Sequence, residues 1–315
     1  MACSSPISDS FPLLLYCARL NSTKQENFRK MLSDKLRTLP QYLVPHHMLS
    51  RIVFRIMRIR WPFFKNILIR WFANQYDVDM SQAKNPDLLS YPSFNHFFTR
   101  ELSPAARPIT EASGAIVSPV DGRISAYGEI KSDTIFQAKG FYYSLNDLLG
   151  ENAELTKQFE NGHFINIYLS PRDYHRIHMP VSGKLQTMTY VPGRLFSVSP
   201  SAVRSVPRLF SRNERVVSIF DSELGKLALI KVGALFVSSI DTVWHGSVTP
   251  RTPKTIHHWQ YQSEDQQTLR RGEEAARFNM GSTVILLFEP NKISWSNDLM
   301  PHQALQLGSQ IGKAL

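Results

Sequence analysis

Three short segments place polar side chains where core packing has no need of them: Ser118-Pro-Val-Asp121-Gly, Ser170-Pro-Arg-Asp-Tyr-His175-Arg-Ile-His178-Met-Pro and Asn279-Met-Gly281-Ser282-Thr283. Together they offer a serine, two histidines and an aspartate. A serine hydroxyl is a weak nucleophile at neutral pH; it needs a base within hydrogen-bond reach and a third group that orients the base. An Asp, a His and a Ser supply that set. Each segment also has a plainer reading. An Asp before Gly is a common turn residue, two histidines between prolines suit a polar loop, and Gly-Ser-Thr entering an apolar run suits a turn. The histidine pair lacks a third ligand at a telling spacing, which argues against zinc.

The elements that must hold these segments are mostly strands. After Pro86 the chain reads as short runs rich in Val, Ile, Phe and Tyr, separated by Gly, Pro, Asn and Asp. Strands are predicted over 115–117, 123–129, 163–169, 183–191, 215–220, 226–237 and 282–288, with helical patches over 91–100 and 145–149. The fold class is α+β: a mainly antiparallel β-sandwich or barrel-like catalytic core with an N-terminal amphipathic helical region. Neither glycine-rich phosphate loop of the nucleotide-binding folds is present.

Before Pro86 the pattern is helical and basic. From Lys35 to Tyr76 there is no Asp or Glu, and Arg51, Arg55, Arg58, Arg60, Lys65 and Arg70 alternate with Ile, Val, Phe, Met, Leu and Trp. Such a segment suits a membrane interface. Its apolar side chains enter the acyl boundary, and each basic group near an anionic surface contributes roughly 1 kcal/mol. The alternative is a helix pair packed on the domain with solvated arginines. Pro62 divides the segment, because an internal proline removes a donor and clashes with the preceding turn. Three regions follow: an extension over 1–30, a membrane-association region over 31–85 and a catalytic domain over 86–315.

At 315 residues with 43% hydrophobic content and a formal charge of +10, the chain can bury a large core and favours an anionic partner. Nucleic acid fits the charge but no recognised module for it is present. Cys3 and Cys17 both lie near the start, so the rest of the chain has neither a disulfide framework nor a thiolate metal site. The apolar stretch beginning at Phe11 lacks a basic flank and is too short to span a bilayer. Membrane contact is expected to be peripheral.

These segments, in this order, closely resemble the bacterial phosphatidylserine decarboxylase family. The resemblance covers residues 31–312 and includes Phe97-Phe-Thr-Arg-Glu-Leu, Arg107-Pro-Ile, Pro119-Val-Asp-Gly, Gln137-Ala-Lys-Gly, Leu195-Phe-Ser-Val, Asn213-Glu-Arg-Val, Val232-Gly-Ala and Arg271-Gly-Glu-Glu. Its most specific parts are the block from Tyr168 to Pro180 and Gly281-Ser282-Thr283. The resemblance implies a proenzyme that cuts itself between Gly281 and Ser282 into a β chain (1–281) and an α chain (282–315), which stay associated. It implies that His178 activates Ser282 and that Asp121 orients His178. Ser282 would become a pyruvoyl cofactor, with no metal, that forms a Schiff base with phosphatidylserine and releases carbon dioxide to give phosphatidylethanolamine. His175 is the candidate for protonating the resulting carbanion. A homodimer, anionic membrane lipid as partner and a peripheral place on the cytoplasmic side of the inner membrane are implied as well.

Further expectations attach to single positions. Phe141, Tyr142 and Tyr143 resemble the family's lipid-side loop. Met280 stands where the family has Leu, a volume-conserving swap. Ala275 and Ala276 replace a common Met and Gly, which removes access to positive φ. Met31 is a candidate start. Competing readings are a serine hydrolase with an intact Ser282 and a non-catalytic lipid-binding protein, both of which predict a single uncut chain.

Overall fold

Prolines divide the N-terminal arm as the sequence predicts. The computed structural model describes residues 29, 32–138, 140–235, 239–262, 266–280 and 282–315. The extension over 1–30, Arg29 apart, and Met31 lie outside the described residues. Helix α1 (32–38) runs into a 3-10 turn at Leu39–Tyr42, and α2 (His46–Ile56) follows. Helix α3 (Pro62–Tyr76) starts with Pro62 in its first turn, where the missing N–H is no loss.

The arm has two apolar faces. Lys65, Ile69, Phe72 and Ala73 form the buried face of α3, and Phe72 meets α4 (Phe94–Phe98) edge-to-face, 5.0 Å from Phe94 and 5.8 Å from Phe98. The Ser93 side chain caps α4 by accepting the His96 N–H. On the other face Trp61, Phe63, Ile67 and Trp71 are exposed, as are Met48 and Ile52 of α2. The arm therefore packs one side on the domain and leaves the other exposed. Among the described residues no helix is long and apolar enough to cross a membrane.

The main sheet is antiparallel and nine-stranded. Its order is β12 (His257–Gln260), β7 (Gly183–Val191), β8 (Arg215–Ser222), β9 (Gly225–Val232), β15 (Ser282–Phe288), β5 (His163–Leu169), β2 (Gly122–Glu129) and β17 (Ala304–Leu305), with β13 (Thr268–Leu269) against β7. One face is covered by a smaller sheet of β11 (Gly246–Ser247), β10 (Ile240–Thr242), β14 (Glu274–Phe278) and β6 (Arg176–His178). The other carries the hairpin of β3 (Thr134–Ala138) and β4 (Phe141–Ser144) with short helices, among them α5 (Leu145–Leu148); Arg215 Nε donates to the Leu148 carbonyl at 2.7 Å. A third sheet joins β1 (Ala115–Val117), β18 (Gln310–Ala314) and β16 (Ile293–Trp295). Strand β15 is buried on both faces, so its sequence is a continuous apolar run rather than an alternation.

Three expectations are corrected. The strand predicted over 226–237 stops at Val232, where the Gly233 N–H turns to the Glu214 carbonyl at 2.8 Å; 236–238 lie outside the described residues. The helix expected over 91–100 begins only after the Ser93 cap. The aromatic run at 141–143 is split by the pleat of β4: Tyr143 is buried against Phe210 and bonded to Asn166, while Tyr142 faces outward beside Phe136.

Candidate active site

Ser282 opens β15 opposite Leu169 of β5. Its hydroxyl is buried and has no hydrogen-bond partner among the described residues. Upstream, β14 ends at Phe278, whose N–H donates to the His175 carbonyl at 3.0 Å. The segment 169–178 thus touches the chain on both sides of the Gly281–Ser282 bond; Gly281 itself is outside the described residues. Met280 has φ +124°, a region that costs a side-chain-bearing residue about 1–3 kcal/mol. Its side chain packs on the cluster of Ile69, Phe72, Phe94 and Phe98. Asn279 is held by three residues: its Nδ2 donates to Ser239 Oγ and to Asp241 Oδ2 at 2.8 Å, and its Oδ1 accepts from Asn95 Nδ2 at 2.9 Å. Arg58, just past α2, donates to the same Ser239 hydroxyl at 3.3 Å. The end of the arm and the approach to the junction share one network.

Both histidines are held neutral. His175 is fully buried with its ring 4.1 Å from that of Phe98. Its Nδ1–H donates to the Asp173 carbonyl at 2.7 Å, which leaves Nε2 buried and without a partner among the described residues. Burial lowers its pKa to about 3. His178 lies on β6, anchored by its N–H to the Pro119 carbonyl at 2.8 Å. Its Nδ1–H donates to the Gly272 carbonyl at 2.8 Å and its Nε2 accepts from the Tyr174 hydroxyl at 3.2 Å. Burial is the largest influence on His178 and lowers its pKa, opposed by the Gly272 bond and the Glu274 charge.

Asp121 is gathered into the same region but does not hydrogen-bond His178. Arg107 holds it instead, Nε to Oδ1 at 2.8 Å and Nη2 to Oδ2 at 2.6 Å, and the Leu307 N–H adds a bond to Oδ1 at 2.8 Å. The guanidinium fork satisfies both carboxylate oxygens, and the imidazole N–H finds a backbone carbonyl. The tautomer of His178 is therefore set by Gly272, with the Asp121 charge a minor contribution to its pKa. Arg107 and Gly272 lie in motifs singled out above, yet their spacing to Asp121 and His178 carries no local signal. Tyr174, Asn279 and the buried Arg100, which donates to the Arg172 carbonyl at 3.3 Å, were likewise not singled out for roles.

A cavity of about 210 Å³ opens at this junction, lined by Phe72, Tyr76, Phe98, Leu169, Ala234 and Met280. Tyr168 lines both it and a larger cavity of about 690 Å³, whose wall combines Ile124, Phe136 and Val203 with Arg123, Arg172 and Arg204. An apolar cleft with guanidinium groups suits an anionic amphiphile. A buried, unpartnered hydroxyl behind a strained residue also fits the conversion of Ser282 into a prosthetic carbonyl.

The family model described as phosphatidylserine decarboxylase matches residues 94–313, and a second, described as PSD, matches 36–77. The chain is 49% identical over 281 residues to a phosphatidylserine decarboxylase proenzyme of Dechloromonas aromatica, covering 89% of this chain and 99% of that one. It is 51% identical over 263 residues to the proenzyme of Shewanella baltica, covering 83% and 90%. For that of Nitrosococcus oceani the identity is 46% over 284 residues, covering 90% and 93%. The buried serine at a strand start, the neutral histidine pair and the helical arm are thus those of a chain that belongs to the phosphatidylserine decarboxylase family.

Proposed function

We propose that this chain is a proenzyme that cuts its own backbone between Gly281 and Ser282 and then decarboxylates phosphatidylserine to phosphatidylethanolamine at a membrane surface. The buried Ser282 hydroxyl, without a hydrogen-bond partner among the described residues, at the first residue of β15 and two residues after Met280 at φ +124°, carries the proposal. In the cut, Ser282 Oγ bonds to the Gly281 carbonyl carbon and gives its proton to His178 Nε2, once the Tyr174 hydroxyl turns away. The Gly281–Ser282 C–N bond breaks, and the proton passes to the departing nitrogen. An ester remains, and its β-elimination frees the Gly281 carboxylate and leaves dehydroalanine, which water converts to pyruvoyl with release of ammonia. Release of the Met280 backbone favours the forward direction.

The pyruvoyl carbonyl supplies an electron sink for the carbon that loses carbon dioxide. His175 Nε2, neutral and bare, is our candidate to relay a proton to the carbon from which carbon dioxide departs; burial, which holds it neutral, makes its protonated form short-lived. This makes His175 a proton carrier rather than a standing acid. Exposed Trp61, Phe63, Ile67 and Trp71 support peripheral docking at an anionic leaflet.

Intact masses of the expressed chain, wild type against Ser282→Ala, test the proposal. The expected result is a small fragment starting at residue 282 with a blocked terminus, absent from the variant. A single uncut chain in both would favour the serine hydrolase or the non-catalytic reading.

A further inference from the structure

Between α2 and the loop over 249–254 lies a cavity of about 100 Å³, bordered by Ser50, Arg51, Glu214, Arg251 and Lys254. It shares no lining residue with the cavity at Met280. Arg51, Arg251 and Lys254 bring three cations together, and none of them forms an ion pair among the described residues. Their field is felt by His47 on the same wall, whose pKa is lowered first by burial and then by Lys254 and Arg51.

A second, independent observation points to a ligand. Ser50 is 6% exposed, lines the cavity, and its hydroxyl has no hydrogen-bond partner among the described residues. Buried hydroxyls are ordinarily satisfied. The carboxyl on the wall, Glu214, accepts the Tyr190 hydroxyl at 2.7 Å; burial raises its pKa, and the Tyr190 bond and Lys254 oppose that rise, so it offsets part of the cationic field without cancelling it. The cavity is well below the roughly 300 Å³ where pockets for larger organic ligands begin. Three cations and a hydroxyl in that space suit a tetrahedral oxyanion.

Position selects the source. Met48 and Ile52, on the same helix as Ser50 and Arg51, are 58% and 44% exposed. A group held by Arg51 therefore lies beside apolar side chains that face outward, at the depth of lipid phosphates when those side chains enter a bilayer. We propose that this cavity binds the phosphate of an anionic phospholipid headgroup, at a site separate from the one that takes the substrate. The inference rests on the arm being the membrane face.

The test measures binding of the full chain to vesicles of phosphatidylcholine alone and of phosphatidylcholine with one fifth phosphatidylglycerol. Ser50→Ala alters no charge, so diffuse attraction is untouched, yet it is expected to weaken binding to the mixed vesicles about tenfold, as for a hydrogen bond to a charged group. Arg251→Gln/Lys254→Gln is expected to weaken it at least tenfold more than the charge-matched Arg55→Gln/Arg70→Gln. Equal losses in the two double variants with no effect of Ser50→Ala would overturn the site while leaving the arm as the membrane face. Absence of vesicle binding by the wild type would overturn the arm reading itself. Millimolar inorganic phosphate raising the melting temperature through Arg251 and Lys254, with vesicle binding unchanged in their variant, would assign the cavity to soluble phosphate and overturn the lipid assignment.

Discussion

At the residue scale, the proposed cut needs a base that is unprotonated before it takes the Ser282 proton, and burial favours that state for His178. Its pKa lies below the ordinary 6.5, so the neutral form prevails at neutral pH and is lost only as pH falls through that lowered value. The rate of self-cleavage after a pH jump should be flat at neutral pH and fall with acidification below 6.5; His178→Gln should slow it by about 10²–10⁴. Arg107→Ala leaves the Asp121 carboxylate without its guanidinium. The side chains of the pair are 13% and 11% exposed, so the loss in urea unfolding of the Ser282→Ala background should be about 3 kcal/mol, with partial rescue by Lys, which lacks the fork. Lys231 is fully buried, donates to Ser218 Oγ at 2.5 Å, and desolvation lowers its pKa to about 7. Between that value and the ordinary 10.5 the unfolded chain holds the proton and the folded chain does not, so stability rises with pH across that window. Lys231→Met should stabilise the fold by a few kcal/mol below about pH 7, and thermal melts at increasing pH should show the gap closing.

At the element scale, helix α3 separates two roles by face. Phe72→Ala empties the centre of the aromatic cluster and should cost about 3–5 kcal/mol. Because Met280 packs on that cluster, the same change should also slow self-cleavage. Ile67→Asp/Trp71→Asp acts on the exposed face and should leave both unchanged while weakening vesicle sedimentation. The division of the arm at Pro62 was legible in the sequence, and so were the strands over 163–169, 183–191 and 282–288, because long apolar runs bounded by Gly, Pro and polar turns have few other readings. The covering sheet was not, since β10, β11 and β14 are short and owe their form to partners remote in the chain. The orientation of Asp121 was hidden for the same reason: its partner Arg107 lies 14 residues back in the chain, beyond β1, and charge pairing leaves no mark in spacing. The position of strain was also displaced. Ala275 and Ala276 lie in β14, where the pairing with β6 shifts register between Glu274 and Ala276, and neither has a positive φ, so a glycine was never needed there, whereas Met280, which resembled a simple volume swap, carries the positive φ.

At the scale of the whole molecule, the proposed cut leaves residues 282–315 threaded through two sheets. Strand β15 pairs with β5 over seven positions and with β9 over six, from the centre of the largest sheet. The two chains should therefore stay together without a covalent bond and co-elute on gel filtration until the fold itself is lost. After complete unfolding and dilution, uncut Ser282→Ala should regain its native spectrum, whereas the processed protein should not, because its assembly has become bimolecular. A cut at the first residue of a central strand, as proposed, would thus erase the connectivity that guided folding. On that proposal the instructions for reaching the native state would reside in the precursor alone, and each processed molecule would persist only as long as its unfolding barrier allows.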